Sequence, residues 1–130
     1  MNSDLRHKAA KVFIRSNLGD SMAQISIEDF ARLDMRVGMV VAAEAVKGSS
    51  KLLKITVDIG DSKRTVVAGI AETHKVEDLI GKRVVLLINL APKRFMGILS
   101  EGMLLAAEDE RGGVYLLTTD GAAPLGARVH

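Results

Sequence analysis

Residues 53–70, LKITVDIGDSKRTVVAGI, contain the pattern that decides the fold. Apolar and polar side chains alternate from Leu53 to Ile59, which is the period of a β-strand that buries one of its two faces. Residues 60–63, which begin with glycine and aspartate, have the composition of a hairpin turn. A further strand is predicted over about 64–70. The stretch therefore predicts two antiparallel strands, each with one face on an apolar core.

Other segments with strand character lie on both sides of this hairpin. In the preceding segment the period is two, and the residues predicted to share one face are Met35, Val37, Met39, Val41, Ala43 and Ala45. After the hairpin, residues 76–80 predict a short helix that Gly81 ends. Three strands are predicted beyond it, over 83–90, 102–107 and 114–118. The strand at 83–90 is apolar on both faces, which is typical of a central strand in a barrel.

The order of these elements predicts the architecture. Three strands, a short helix and two strands follow one another as in a five-stranded Greek-key barrel of OB type, whose helix plugs the barrel between strands three and four. Gly38 in the first strand fits the bend that closes a small barrel. The predicted fold is all-β with short helices: a five-stranded Greek-key OB-fold barrel with an N-terminal helical extension and C-terminal β-hairpin elements.

Two parts of different character divide the chain into an extension, residues 1–24, and a domain, residues 25–130. In the extension, apolar residues at helical spacing predict an amphipathic helix over 4–18, at Leu5, Ala9, Val12 and Phe13. Two interpretations stay open for it: a basic helix that docks on a partner, or a poorly ordered extension that packs on the domain or frays. The domain begins with a short helix over about 27–33 that Ser26 is placed to cap.

Composition and charge exclude several classes of protein. The 130 residues contain no cysteine, which rules out thiolate zinc sites, iron–sulfur clusters, disulfides and a cysteine nucleophile. No apolar run is long enough for a membrane span and none has the form of a secretory signal, so a cytoplasmic protein without a membrane partner is expected. The net charge is only +2, yet residues 79–100 contain four basic side chains and no carboxylate. Such a segment can bind phosphates locally, although a solvated surface loop explains the charge equally well.

The sequence contains no residues at the spacing of a metal site, a catalytic nucleophile or a phosphate loop. No catalytic residue, metal ligand or cofactor site is therefore predicted. The three histidines, His7, His74 and His130, have no metal-ligand spacing. Residues 97–102, GILSEG, lack the glycine two positions before serine that a nucleophile elbow needs. They also lack the Gly-Lys-Ser/Thr ending of a phosphate loop. Three Phe, one Tyr and no Trp are too few rings for a platform that stacks single-stranded bases. A nucleic acid bound here is therefore expected to be recognised by its folded shape and backbone.

Eight short motifs run in order through residues 30–129. They are FxxxDMRVG at 30–38, KLL at 51–53, VDIG at 57–60, VVAGIA at 66–71, LIGK at 79–82, NLAPKRFMG at 89–97, SEGMLLA at 100–106 and PxGARV at 124–129. With these motifs the chain resembles the tRNA-binding OB-fold family, which includes stand-alone dimeric tRNA-binding proteins and the C-terminal domain or beta subunit of methionyl-tRNA synthetase. One departure is the loop VKGSS at 46–50, where many members have His-Pro-x-Ala-Asp/Glu, so no role of that histidine transfers to this chain.

The resemblance implies binding of folded tRNA, a homodimer, and an accessory rather than catalytic role beside a methionyl-tRNA synthetase catalytic domain. The residues it singles out for tRNA binding are Lys51, Asn89, Lys93, Arg94, Ser100 and Met103. The basic side chains would meet phosphates, Asn89 and Ser100 would bond backbone or sugar, and Met103 would pack on a base or ribose. Each has a structural alternative: Asn89 could bond the protein backbone, Ser100 could hold a turn, and Met103 could pack in the core. Arg36 is expected to pair with a carboxylate such as Asp34.

A second function of a different class fits the same fold. A chaperone-like or scaffold dimer would bind polypeptide in an exposed apolar groove, with weak dependence on salt. Titration with folded tRNA separates the two functions, because phosphate contacts make nucleic-acid affinity fall steeply with salt.

Overall fold

The computed structural model describes residues 23–130, so the predicted helix over 4–18 lies outside the described residues. Two short helices, α1 and α2, and ten strands, β1 to β10, make up the described part. The helices are α1 Ile27–Ala31 and α2 Val76–Leu79. The strands are β1 Met35–Ala45, β2 Leu53–Asp58, β3 Lys63–Ala68, β4 Arg83–Leu87, β5 Lys93–Phe95, β6 Ile98–Ser100, β7 Met103–Leu104, β8 Ala106–Glu108, β9 Val114–Leu116 and β10 Arg128–Val129.

The main sheet has the strand order β3-β2-β1-β4-β7, with β10 also paired to β1. Its two ends approach each other because the segment around β6 and β7 lies along β3. The backbone N–H of Glu101 donates to the carbonyl oxygen of Thr65 at 2.7 Å, and the N–H of Val67 donates to Ser100 Oγ at 2.9 Å. These bonds join β3 to the segment around β6 and β7, so the sheet is nearly closed into a barrel. The predicted OB-type barrel with few short helices is therefore confirmed.

The hairpin predicted from residues 53–70 is present as β2 and β3. Leu53 pairs with Ala68 and Asp58 with Lys63, which is the register that a short turn imposes on two antiparallel strands. In β2 every second residue is buried, as its sequence alternation predicts. The N–H of Gly60 in the turn donates to Asp58 Oδ1 at 2.8 Å.

The prediction that six alternate residues from Met35 to Ala45 share one face of β1 is wrong beyond Val41, since Ala43 packs against the barrel core whereas Met35 belongs to another cluster. Gly38 pairs with Val84, whose side chain lies in the barrel core, and Val40 is in the same core, whereas Val41 is exposed. The register against β2 shifts between Val40 and Ala42, which is a β-bulge. Because one extra residue on the strand reverses the alternation, a strict period of two cannot describe the whole of β1.

Two apolar clusters flank the sheet, which explains why β4 is apolar on both faces. The barrel core contains Val40, Leu53, Ile55, Val57, Ile59, Val66, Ile70, Leu79, Val84, Leu86 and Val114. The second cluster contains Met35, Val85 and Leu87, with Phe30, Leu105 and Val129 packed against it. Leu79 belongs to α2, so this helix plugs the barrel as predicted.

The chain before β1 is held by side-chain bonds. Ser26 caps α1, since its Oγ accepts a hydrogen bond from the N–H of Asp29 at 3.0 Å. The helix ends at Ala31, two residues earlier than predicted. Arg36 pairs with Asp34, as expected, and also donates to the carbonyl oxygen of Gly126 at 3.2 Å. The Arg36 hydrogen bond holds the pKa of Asp34 below its usual value.

Two predicted strands differ from the structure at their ends. The fourth strand was predicted to reach residue 90 but ends at Leu87. The fifth, predicted over 102–107, is divided between β7, which pairs with β4, and β8, which pairs with β9. The hairpin of β5 and β6, between the fourth and fifth predicted strands, was not predicted.

Candidate nucleic-acid interface

The unpredicted hairpin of β5 and β6 presents the basic residues that the sequence singled out. Lys93 and Arg94 are both exposed on β5. Met96 and Gly97 form the turn with φ angles of 52° and 83°, and a two-residue turn with two positive φ angles matches the right-handed twist of the strands. The sequence signal for this turn is Gly97 alone, because Met rarely adopts a positive φ.

Local contacts restrain both basic side chains of the hairpin. Lys93 Nζ lies 5.3 Å from the centroid of the Phe95 ring, within the range of a cation–π interaction. Arg94 Nη1 donates to the carbonyl oxygen of Gly97 at 3.2 Å, across the turn. Both contacts leave the positive charges at the surface, where a phosphate can approach them.

The loop between β1 and β2 touches the hairpin and adds two lysines. A Cβ placed on Gly48 would lie 3.1 Å from Met96 Cε, so the loop backbone lies directly against the tip of the hairpin. Ser49 Oγ shapes this loop by accepting from the N–H groups of Lys51 and Leu52 at 3.2 and 3.1 Å. The loop therefore brings a segment that contains Lys47 and Lys51 against the tip of the basic hairpin. We call Lys47, Lys51, Lys93 and Arg94 the basic cluster. The sequence pattern did not indicate Lys47, since Lys93 and Arg94 are 46 positions or more away from it in the chain.

An apolar groove adjoins the basic cluster. It has a volume of about 560 Å³, and Phe95 and Met103 line it. Met103 is 45% exposed, so its side chain lies at the surface rather than in the core. The other apolar residues that line the groove include Leu52, Ile70, Leu104, Leu105, Ala106, Val114, Leu116 and Leu117. We call this surface the apolar groove; Phe95 connects it to the basic cluster.

The side chains of Ser100 and Asn89 form hydrogen bonds to backbone groups of the protein. Ser100 is 5% exposed, and its Oγ accepts from the N–H of Val67 at 2.9 Å and donates to the carbonyl oxygen of Gly102 at 3.2 Å. The Asn89 amide bridges two backbone groups: Oδ1 accepts from the N–H of Asp34 at 2.9 Å, and Nδ2 donates to the carbonyl oxygen of Arg32 at 2.6 Å. Neither residue lines the apolar groove. Their alternative roles, to hold a turn and to bond the backbone, match these contacts.

Replacing Ser100 by Ala is expected to destabilise the fold by about 1–3 kcal/mol, because the half-buried N–H of Val67 loses its acceptor. Urea unfolding measures this loss. The slope of log affinity for tRNA against log salt should stay unchanged, because Ser100 lies beneath the surface. A shallower slope with unchanged stability would instead make Ser100 a direct contact.

Other ionisable groups of the described residues lie outside the basic cluster. Within residues 23–130, no group of three or more His, Asp or Glu side chains could hold a metal ion. No helix among these residues is long and apolar enough to cross a membrane. The pKa of Asp109 is lowered, first by the N–H of Gly113 and then by Tyr115 OH, in a turn at the surface. These bonds organise the turn between β8 and β9.

Comparison with known proteins identifies relatives for nearly the whole described region. Residues 35–128 match the family described as "Putative tRNA binding domain". Over 111 residues the chain is 50% identical to methionine–tRNA ligase of Methanocaldococcus jannaschii, which covers 85% of this chain and 17% of the relative. Over 105 residues it is 50% identical to methionine–tRNA ligase of Deinococcus radiodurans, covering 81% of this chain and 15% of the relative. The chain thus spans about one-sixth of the length of these curated relatives.

Two solved structures share the fold over most of both chains. A MetRS-related protein from Pyrococcus horikoshii has a TM-score of 0.80 and 42% identity, covering 83% of this chain and 99% of its own. The chaperone CsaA from Bacillus anthracis has a TM-score of 0.76 and 33% identity, covering 83% of this chain and 100% of its own. The barrel, the eight motifs and the match over residues 35–128 agree, and the chain belongs to the tRNA-binding domain family.

Proposed function

We propose that this chain binds folded tRNA at the basic cluster and the adjoining apolar groove. The observation that carries the proposal is the contact between Gly48 and Met96, which joins two basic segments that are distant in the sequence. The basic cluster is then next to exposed apolar side chains, among them Met96 at 57% and Met103 at 45% exposure. Cationic groups next to exposed apolar side chains match the two chemical parts of RNA, the phosphate backbone and the base or ribose faces.

Folded RNA fits this surface better than an extended single strand. Strand-binding OB proteins stack successive bases on aromatic rings, and the groove is lined by one ring, Phe95, among mainly aliphatic side chains. The basic cluster instead suits phosphates at a fixed spacing, as the backbone of a folded RNA presents them. In this proposal Lys51, Lys93 and Arg94 keep their predicted phosphate contacts, Lys47 joins them, and Met103 packs on a base or ribose. Ser100 supports this surface from beneath, whereas Asn89 holds the segment before β1.

The biological setting is also a proposal, and the relatives support it. Two relatives that are 50% identical over this region are methionine–tRNA ligases, in which the matched part is a small fraction of the chain. We therefore assign the chain an accessory role for a methionyl-tRNA synthetase catalytic domain in the cytoplasm, without catalysis of its own. Such a module would raise the local concentration of tRNA at the enzyme.

Titration with folded bulk tRNA at two salt concentrations tests the function, with a single-stranded RNA of equal length as competitor. The expected result is binding that weakens steeply with salt and that the single strand displaces poorly. Absence of binding at low salt would contradict the proposal. Equal displacement by the single strand would contradict recognition of the folded shape.

A second candidate function is polypeptide binding, which the size of the apolar groove and the similarity to the chaperone CsaA favour. The lining of the groove is mostly hydrophobic, so its ligand would be an apolar segment of an unfolded chain. A peptide array with and without high salt distinguishes the two functions. Binding to apolar peptides that salt does not weaken, together with no affinity for tRNA, would establish this alternative.

We also propose that the chain is a homodimer. The five-residue α1 has no buried residue, and Ile25 and Ile27 are each 72% exposed, although so short a helix depends on tertiary packing. Asn89 ties the end of this segment to the end of β4, where Leu90 is 48% exposed. A second copy would cover these exposed apolar side chains. Light scattering is expected to give twice the 13.9 kDa mass of one chain, and a monomer at micromolar concentration would contradict the dimer.

A further inference from the structure

A second cavity lies on the other side of β9 from the apolar groove. It has a volume of about 430 Å³, and the polar residues that line it are His74, Lys82, Arg83, Tyr115 and Thr118. Val114 and Leu116 line both the cavity and the groove, so β9 forms the wall between them. No residue of the basic cluster lines this cavity, which makes it a separate site.

The lining of the cavity is positively charged. Lys82 is exposed, and Arg83 is half-buried with its Nε donating to the carbonyl oxygen of Ala123 at 2.9 Å. That bond holds the guanidinium in place, because one of its donors is tied to the backbone. No carboxylate is among the lining residues of this cavity. A guanidinium held by the backbone and an exposed ammonium lining the same cavity match the negative oxygens of a phosphate group.

His74 adds a group whose charge can respond to a ligand. Its Nδ1 lies 2.8 Å from Thr73 Oγ1, and the Thr73 hydroxyl donates to the carbonyl oxygen of Ile70 at 3.2 Å. Because that hydroxyl has one proton, the tautomer that fits these contacts carries its proton on Nδ1, and protonation of the ring would make Nε2 a donor as well. Burial first, and then the charge of Lys82, lowers the pKa of His74.

The charges around His74 come from several elements. Asp78 in α2 acts against Lys82 and raises the pKa of His74. Arg83 in β4 lines the same cavity, and from β9 the hydroxyl of Tyr115 donates to Asp109 Oδ2 at 3.0 Å. An anion bound between Lys82 and Arg83 would cancel part of the positive field at the ring. Its arrival would therefore favour the protonated imidazole.

We propose that the cavity between β4, β9 and the chain segments that flank α2 is a binding site for a phosphate group, with Lys82 and Arg83 as its ligands and His74 as a third donor when protonated. The chemistry is shared by an RNA backbone phosphate and by a free phosphate anion. The site does not depend on the tRNA-binding proposal, because it is defined by a different set of residues.

The first experiment uses sulfate, a dianion whose charge does not change near neutral pH. The pKa of His74 is measured by NMR in sodium sulfate and in sodium chloride of equal ionic strength, with the His74 signal assigned by its loss in His74→Gln. Sulfate is expected to raise the pKa of His74 more than chloride does, because ionic strength alone screens Lys82 equally in both. Equal values in the two salts would overturn the proposal.

Lys82→Gln tests the site without disturbing the barrel, because the side chain is exposed. Loss of the neighbouring charge should raise the pKa of His74 in chloride. The further rise in pKa from chloride to sulfate should be at least threefold smaller in this variant than in the unchanged chain. Lys54→Gln is the matched control, since Lys54 pairs with Glu44 on another part of the sheet and should leave the sulfate effect unchanged. An undiminished sulfate effect in Lys82→Gln would overturn the assignment of the ligands.

A second arm identifies the source of the phosphate. If the site takes an RNA phosphate, Lys82→Gln should make the slope of log tRNA affinity against log salt shallower by about 1. If the site takes a free anion, the unchanged chain will show the sulfate effect on the pKa of His74, but Lys82→Gln will bind tRNA with the same affinity as the unchanged chain. Failure of tRNA binding altogether would remove the proposed function but leave the sulfate result to decide this site.

Discussion

Replacing both Lys93 and Arg94 by Gln is expected to weaken tRNA binding on the order of 60-fold at 0.1 M salt. Each phosphate contact makes the affinity scale with the salt concentration to the power of about −0.9. Relative to 1 M salt, each contact therefore raises the affinity at 0.1 M salt by about eightfold. Both side chains are exposed on β5, so the variant loses charge without losing core packing. The slope of log affinity against log salt should become shallower by about 2.

The control for this prediction removes the same charge elsewhere. Lys54→Gln with Arg111→Gln also lowers the net charge by two, but neither residue belongs to the basic cluster or lines the apolar groove. A general charge effect would weaken both double variants alike. Single Lys93→Arg keeps the charge and should retain the slope. If the Lys93/Arg94 variant binds tRNA within twofold of the unchanged chain, the hairpin is not part of the interface.

Replacing Leu86 by Ala is expected to have the largest effect on stability, a loss of about 3–5 kcal/mol in the free energy of unfolding. Leu86 is fully buried in the barrel core, and removal of its branched end leaves a cavity that the surrounding strands cannot fill. Small domains have a total stability of about 5–15 kcal/mol, so this one change removes a large fraction of it. Urea denaturation at constant protein concentration measures the loss.

Leu99→Ala is the matched control, because it removes the same atoms from a side chain that is 38% exposed on β6. Its expected cost is below about 1 kcal/mol, since little apolar surface returns to water. Equal destabilisation by the two substitutions would contradict a barrel interior that forms the main core. Concentration is held constant because a dimer would make the apparent stability depend on it.

Features of the fold that depend on residues close together in the sequence were predicted best. The hairpin of β2 and β3 was predicted within about two residues, because alternation and turn composition are local. In β1 the same reasoning placed Val41 and Ala43 on one face, but a bulge between Val40 and Ala42 separates them. Val41 is exposed, whereas Ala43 packs against the barrel core that contains Val40. A bulge leaves no signal in a pattern of apolar residues, because valine, alanine and methionine fit either face.

The hairpin of β5 and β6 was missed for a related reason. Its strands have three residues each, too few for a period to be recognised, and its turn places Met96 at a positive φ. The basic residues on it could nevertheless be selected from the sequence, because charge without a neighbouring carboxylate is visible locally. The contact of Met96 with Gly48 could not be predicted from the sequence, because the two residues are far apart in the chain. Lys47, which precedes Gly48, was therefore not among the predicted site residues.

Ser100 and Asn89 show the limit of selecting residues by type. In the sequence both are polar side chains among residues with binding character, and the folded chain uses both to satisfy backbone groups. At Ser100 the reason is that a partly buried N–H without an acceptor costs more free energy than a surface contact gains. The local contacts of Lys93 and Arg94 leave both side chains exposed, so their charges are available to a ligand.

By itself the sequence determined the all-β class, the order of the five barrel strands, the plug by α2 and the basic character of residues 93–94. These features depend on composition and spacing within short segments. Only the tertiary structure decided which face of β1 is buried, which polar residues are structural, and which distant loops meet to form the basic cluster. Those properties arise from contacts between residues far apart in the chain, and closure of the barrel is what brings such residues together.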